Sequence, residues 1–388
     1  MTVLEVARPG ILMTVQDGGR WGWAHWGIMV HGALDDYARH WANWLVGNAE
    51  DDPVIEVTAG GGELLIREPG RLGLAGADLG AHLDGVPWPP GSARWVAKDQ
   101  RLSFQRRRRG LRAYLALPGG VDVPRVLGSA ATDLTARVGG WQGRRLEVGD
   151  VLGARGDGGQ TRATEWPTMR RSHVLRVLPG VRLDRFPPHA LTQLLTRMFR
   201  VSPESSAIGL RLVGEPVASP RGDWPSEGMA IGSVECPPDG QLLLLLKGRG
   251  SLGGYPALAH VIRADWPSLG QLAPGDWVAF NLVTVEEARL AWHAYASSLG
   301  RTTMDRKTLT APVDGVVTMV DEYGRRLPED GDWVGAGQLL MRIHSLGCDL
   351  PIFAPSEGEV AFLVTEGQVV EAGRAIIELR GEGYDSVH

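Results

Sequence analysis

The sequence predicts a mainly β protein, and three observations carry that prediction. Glycine (53) and proline (25) are abundant among 388 residues, which suits short strands joined by tight turns. Helical periodicity is scarce, whereas short apolar-rich runs bounded by Gly, Pro and Asp recur, as in Val54-Ile55-Glu56-Val57, Arg71-Leu72-Gly73-Leu74 and Ala113-Tyr114-Leu115-Ala116-Leu117. Two internal echoes then repeat a strand–turn–strand order along the chain. The length exceeds one ordinary core and calls for two or three domains.

The elements follow in order. Residues 34–46 carry apolar side chains at helical spacing, with Asp35 and Asp36 in the opening turn. Residues 188–199 repeat that pattern before the break at Val201-Ser202-Pro203, and 289–299 give a third helix. The first echo sets Tyr114-Leu115-Ala116-Leu117-Pro118-Gly119-Gly120 and the corner Gly149-Asp150 against Leu243-Leu244-Leu245-Leu246, Gly253-Gly254-Tyr255-Pro256 and the corner Gly275-Asp276. It predicts two related β subdomains, 1–160 and 173–300, joined by a Gly-, Thr- and Arg-rich linker at 156–172. The second echo answers Ala311-Pro312-Val313-Asp314-Gly315 with Ala354-Pro355-Ser356-Glu357-Gly358, and Val334-Gly335-Ala336-Gly337 with Val370-Glu371-Ala372-Gly373. Such paired half-motifs resemble a biotinyl/lipoyl carrier, a small flattened β-barrel over 308–382, set off by a linker at 300–307.

Composition excludes several function classes. A formal net charge of -5 offers no general field for nucleic acid, and Arg106 to Arg109 reads as a solvated hairpin loop. The start Met1-Thr2-Val3-Leu4-Glu5 lacks a signal-peptide pattern, and apolar runs such as Leu242-Leu243-Leu244-Leu245-Leu246 fall far short of a membrane span. Cys236 and Cys348 form neither a metal-ligand spacing nor a disulfide framework, so a cytoplasmic protein without a bound metal is expected. No phosphate-cradling P-loop string occurs.

Several strings occur in a fixed order: Pro9-Gly10, Thr14-Val15-Gln16-Asp17-Gly18-Gly19-Arg20-Trp21-Gly22, Gly32-Ala33-Leu34-Asp35 and Ala42-Asn43-Trp44-Leu45-Val46-Gly47-Asn48. Gly76-Ala77-Asp78, Leu83-Asp84-Gly85, Leu127-Gly128-Ser129 and Ser226-Glu227-Gly228 follow them. Together they resemble the biotin-dependent carboxyltransferase-like family, also called allophanate hydrolase subunit 2, KipA or the C-type subunit of 5-oxoprolinase, over about residues 1–290. A carboxyltransferase followed by a biotinyl carrier is also the order at the C-terminal end of urea carboxylase. The resemblance implies two cyclophilin-like β-barrels with a cleft between them. It also implies a KipI-like B-type subunit as partner, with a further A-type subunit, in a complex that opens 5-oxoproline to glutamate with ATP.

Candidate site residues come from the same strings. Gln16, Asp17 and Arg20 place an amide, a carboxylate and a guanidinium on a Gly-rich turn, able to hold a carboxylate or move a proton. An Asp–Arg pair bracing a turn is the alternative. Asp35 is first a helix cap, and Asn43 and Asn48 are structural hydrogen-bonding groups. Asp78 ends a strand and suits either the cleft or a turn. Ser226 and Glu227 precede a strand and line the expected site. In Lys247-Gly248-Arg249-Gly250-Ser251-Leu252-Gly253-Gly254-Tyr255, the family pattern Asp-Arg-Gln-Thr-Thr-Gly-Gly-Tyr keeps Arg249, Gly253, Gly254 and Tyr255. Gly248 replaces its Asp and Gly250 its Gln, while Ala207-Ile208-Gly209 stands for Arg-Met-Gly and Glu235 for Gln. The resemblance thus gives Asp17, Arg20, Glu227 and Arg249 catalytic roles, and Gln16, Asp78, Ser226, Gly253, Gly254 and Tyr255 substrate contacts.

The carrier-like domain has no biotin attachment point. Its expected lysine position holds Gly347, flanked by His344 and Cys348, and the lysines of the chain are Lys98, Lys247 and Lys307. Biotin or lipoate needs a side-chain amine, so no covalent cofactor is expected, and ATP is assigned to the complex. The main expectation is a subunit of an ATP-dependent amide hydrolase acting on a small amide or lactam. The alternatives are a carboxyltransferase that takes carboxybiotin from another protein, and a non-catalytic regulator of a KipI-like partner.

Overall fold

The computed structural model describes residues 1–156, 173–222, 224–299, 307–310, 315–319, 327–329, 332–334, 338–345, 348–353, 358–371 and 375–380. They fall into two compact units, Met1–Trp292 and His293–His388. Among them no helix is long and apolar enough to cross a membrane.

The first subdomain of the larger unit is two sheets around one core. One sheet has the order Leu12–Gln16, Val54–Thr58, Arg109–Ala116, Gly70–Asp78, Ser92–Val96. The other runs Val151–Gly153, Val3–Pro9, Gly62–Glu68, Arg101–Phe104, Ala81–Leu83, Val86–Pro87. Strand alternation sends Met13, Val15, Ile55 and Val57 into the core between the sheets. The opposite face therefore carries Leu12, Thr14 and Gln16, with Thr14 across from Glu56 and Leu12 across from Thr58. Arg112 pairs with Thr58 and Tyr114 with Glu56 on the next strand, extending the same polar face.

Helix α1, Asp36–Leu45, packs on this sheet and matches the segment expected at 34–46. Asp35 caps it, its Oδ1 accepting from the Ala38 N–H at 2.9 Å. Gly73 lets the helix approach the sheet, because a β-carbon there would stand 2.5 Å from the Ala42 carbonyl oxygen. Asn43 and Asn48 close the helix as expected: Asn43 donates to the carbonyls of Glu50 and Asp52, and Asn48 to Leu117 at 2.7 Å.

The second subdomain is a closed barrel ordered Val174–Pro179, Ala257–Val261, Ser233–Glu235, Leu242–Leu245, Gly209–Val213, Phe199–Val201, Trp277–Leu282. Its first and last strands pair in parallel to close it. Helices α2, Ala190–Thr196, and α3, Trp266–Leu269, flank it, and Glu227–Gly228 pairs with Leu252–Gly253 as a short ribbon. The sequence echo has a physical counterpart. Asp150 accepts from the Glu147 N–H at 2.7 Å and Asp276 from the Ala273 N–H at 2.9 Å, each after a glycine at φ 89° or 92°. Arg107 departs from the solvated-loop expectation, since it donates to both oxygens of Asp276 at 2.7 and 2.8 Å and so joins the subdomains.

Helix α4, Val285–Ser298, begins earlier than expected because Thr284 and Glu287 cap it reciprocally, at 3.2 and 2.7 Å. The smaller unit holds two four-stranded sheets, Lys307–Thr310, Ala375–Arg380, Gly358–Phe362, Trp333–Val334 and Cys348–Phe353, Leu339–Ser345, Gly315–Thr318, Val369–Val370. Each sheet takes strands from both echoing halves. Ser345 pairs with Cys348, and Gly347, the expected attachment position, lies outside the described residues.

Candidate functional site

The polar patch that Thr14, Gln16, Glu56, Thr58 and Arg112 make on the five-stranded sheet is turned toward the second subdomain. It forms one wall of a cleft of about 550 Å³, and the second subdomain supplies the other wall through Ser205 to Ile208, Lys247, Gly248, Leu272 and Pro274. Four buried polar atoms in this cleft have no hydrogen-bond partner among the described residues: Gln16 Oε1, His31 Nε2, Glu56 Oε2 and Thr58 Oγ1. Buried polar atoms are ordinarily paired, so four such atoms on residues lining one cleft place unused hydrogen-bonding capacity next to it.

The environment sets their chemistry. Burial holds the Glu56 carboxyl above the usual carboxylate range, with Arg112 (Nε to Oε1 3.5 Å) and Tyr114 working against it. Burial likewise lowers the His31 imidazole, opposed by Asp133, whose Oδ2 lies 3.1 Å from Nε2 without hydrogen-bond alignment. Glu56 can donate to a carbonyl oxygen when protonated and accept an N–H when ionised, while Gln16 Oε1 accepts an N–H and Thr58 does either. That combination can pair with an amide or lactam whose apolar part lies against Leu34, Leu111, Ile208 and Leu272.

The walls are held in register by buried links between subdomains. Lys247 is buried, and its Nζ donates to both oxygens of Asp36 at 2.8 and 2.9 Å and to the Ala33 carbonyl at 2.6 Å. Gln271 accepts from the Leu111 and Arg112 N–H groups at 2.8 and 3.1 Å and donates to Asp35 Oδ2 and the Arg112 carbonyl. Arg112 in turn donates to the Gly270 carbonyl at 2.7 Å.

The residues singled out from sequence separate into three places. Gln16 lines the cleft. Asp17 and Arg20 stand behind it and brace the 126–131 loop. Asp17 accepts from Gly19 N–H, Ser129 Oγ and Ala130 N–H at 2.9, 2.6 and 2.6 Å, and Arg20 donates to the Val126 and Ala131 carbonyls at 3.0 and 2.8 Å. Asp78 holds its own turn by accepting the Gly80 N–H at 2.9 Å. Glu227, Gly253 and Tyr255 line a smaller cavity of about 110 Å³ on the second subdomain, with Ser226 adjoining Glu227 and Gly254 between the other two. Arg249 donates to the Met229 carbonyl at 2.8 Å. Among the departures from the family pattern, Ala207, Ile208 and Gly248 face the cleft and Glu235 the smaller cavity. Sequence reading passed over Glu56, Thr58, Arg112, His31, Lys247 and Gln271. The one available signal was a carboxylate interrupting the apolar run Val54-Ile55-Glu56-Val57.

Comparison with known proteins places this architecture. The family described as carboxyltransferase domain, subdomain A and B, matches residues 26–282. The C-type subunit of 5-oxoprolinase from Escherichia coli is 34% identical over 288 residues, covering 74% of this chain and 93% of that protein. The crystal structure of TTHA0988 is 36% identical with a TM-score of 0.66, over 72% of this chain and 56% of that one. The urea carboxylase of Kluyveromyces lactis is 26% identical with a TM-score of 0.71, over 77% of this chain and 29% of that one. The chain thus spans about half of the first solved structure and under a third of the second.

Proposed function

From the premise that this chain belongs to the carboxyltransferase subdomain A and B family, we propose that it is the carboxyltransferase-type subunit of an ATP-dependent 5-oxoprolinase complex, acting with a KipI-like B-type subunit and an A-type subunit in the cytoplasm. The observation that supports this most is the set of unpartnered buried atoms in a cleft matched to an amide. The substrate class is a small lactam. Its N–H is received by Gln16 Oε1, its carbonyl oxygen by the protonated form of the Glu56 carboxyl and Thr58, and Arg112 stands beside Glu56 to balance charge as the carbonyl polarises. ATP is supplied through the complex, and no step is assigned to it within this cleft.

The test is co-expression with the A-type and B-type subunits and assay of ATP-dependent glutamate release from 5-oxoproline without biotin. We expect turnover that falls at least a hundredfold in Glu56→Gln and Gln16→Leu while the complex still assembles. A stable complex with wild-type turnover in both variants would remove this cleft from the chemistry. The likeness to urea carboxylase favours a second reading, in which carboxybiotin from another protein delivers CO2 to an amide nitrogen. Activity that requires a separate biotinylated protein selects that reading.

A further inference from the structure

The smaller cavity of about 110 Å³ shares no lining residue with the cleft. We propose that it is a second ligand site, which binds a small ammonium or primary-amine cation on the carboxylate of Glu235. Its construction follows from the barrel. Val234 points into the core, so alternation sends Ser233 and Glu235 to the other face, and register sets His260 directly across from Ser233. Ser233 Oγ lies 3.1 Å from His260 Nδ1.

Glu235 is 4% exposed and lines the cavity, and its carboxyl has neither a hydrogen bond nor an ion pair among the described residues. Burial alone, with no neighbouring charge or donor to oppose it, pushes it up to about 7. The other ionisable groups facing it are accounted for. Glu227 and Arg182 neutralise one another, with Nε to Oε1 at 3.2 Å, and burial lowers the His260 imidazole so that it stays neutral near pH 7. The ionised cavity therefore carries one uncompensated negative charge, which a cation completes and an anion does not. Liquid water occupies ~30 Å³ per molecule, so the volume admits about three or four non-hydrogen atoms, enough for ammonium or methylammonium together with a water molecule. On binding, the cation forms N–H bonds to the carboxylate, Ser233 and His260, and the Glu235 proton leaves to solvent.

Calorimetric titration of methylammonium chloride into the full chain at constant ionic strength tests the site. Because the cation competes with a proton on a group titrating at about 7, affinity is expected to be about tenfold tighter at pH 8 than at pH 6. Glu235→Gln should abolish binding, Ser233→Ala should weaken it severalfold, and Glu204→Gln, at an exposed pair with Arg211, should leave it unchanged. Thermal melting of each variant separates a lost site from a lost fold. Absence of binding at pH 8, equal affinity for acetate or sodium, or binding that survives both Glu235→Gln and Ser233→Ala would overturn the proposal.

Discussion

Lys247 Nζ lies 2.8 and 2.9 Å from the two carboxylate oxygens of Asp36, joining residues 211 positions apart and fastening the second subdomain to the start of α1. The lysine is buried whereas the aspartate keeps partial access to water, so the pair is asymmetric. Removing the lysine leaves a carboxylate that rehydrates in part and an Ala33 carbonyl that does not. Lys247→Met is therefore expected to destabilise by about 2 to 3 kcal/mol, less than for a fully buried pair. Chemical denaturation in a double-mutant cycle with Asp36→Asn should show losses that do not add.

Gln271 uses all of its hydrogen-bonding capacity within the seam between the subdomains. Gln271→Ala should cost about 3 kcal/mol, since it strands the Leu111 and Arg112 N–H groups away from water. Gln271→Glu should be worse at pH 8 than at pH 5, because its carboxylate faces Asp35 and the Arg112 carbonyl. Melting temperatures at the two pH values check this.

Glu235 gives stability a pH signature. Its folded-state value of about 7 lies above that of an unfolded glutamate, so its contribution is full below about pH 4.5 and is lost as pH rises through 7. In amine-free buffer, Glu235→Gln should leave stability nearly unchanged at pH 4.5 and raise it by about 3 kcal/mol at pH 8. Denaturation curves across that range should show the gap opening between pH 5 and 7.

Gly248 stands where the family pattern has Asp. A β-carbon there would lie 2.7 Å from the Ala207 carbonyl oxygen and 3.2 Å from His31 Cε1. Gly248→Asp is therefore expected to destabilise by about 1 to 3 kcal/mol and to crowd the cleft at His31. The measurement is a melting temperature together with the Michaelis constant of the assembled complex, which should rise.

Much of the fold was legible because it depends on neighbours in sequence. Asp35 with its following apolar spacing marks α1, and the Gly149-Asp150 and Gly275-Asp276 corners betray the repeated subdomain through a hydrogen bond spanning three residues. The site was less legible, for a physical reason. Glu56 reads the same in an alternating strand whether its face meets water or a second subdomain, and nothing near Lys247 announces a partner 211 residues away. Motif order also grouped Asp17 and Arg20 with Glu227 and Tyr255, although the structure sets the first pair behind a cleft wall and the second beside another cavity.

The parallel pairing of Val174–Pro179 with Trp277–Leu282 also bears on how the molecule is made. On the ribosome, the first sheets can collapse as soon as Gly153 has emerged, whereas the barrel waits for its final strand to meet its first. Such distant closure is slow, and until it happens the apolar faces of Leu242 to Leu245 lack their enclosure. A nascent chain halted before Trp277 should accordingly expose a chaperone-binding surface beside an already folded neighbour.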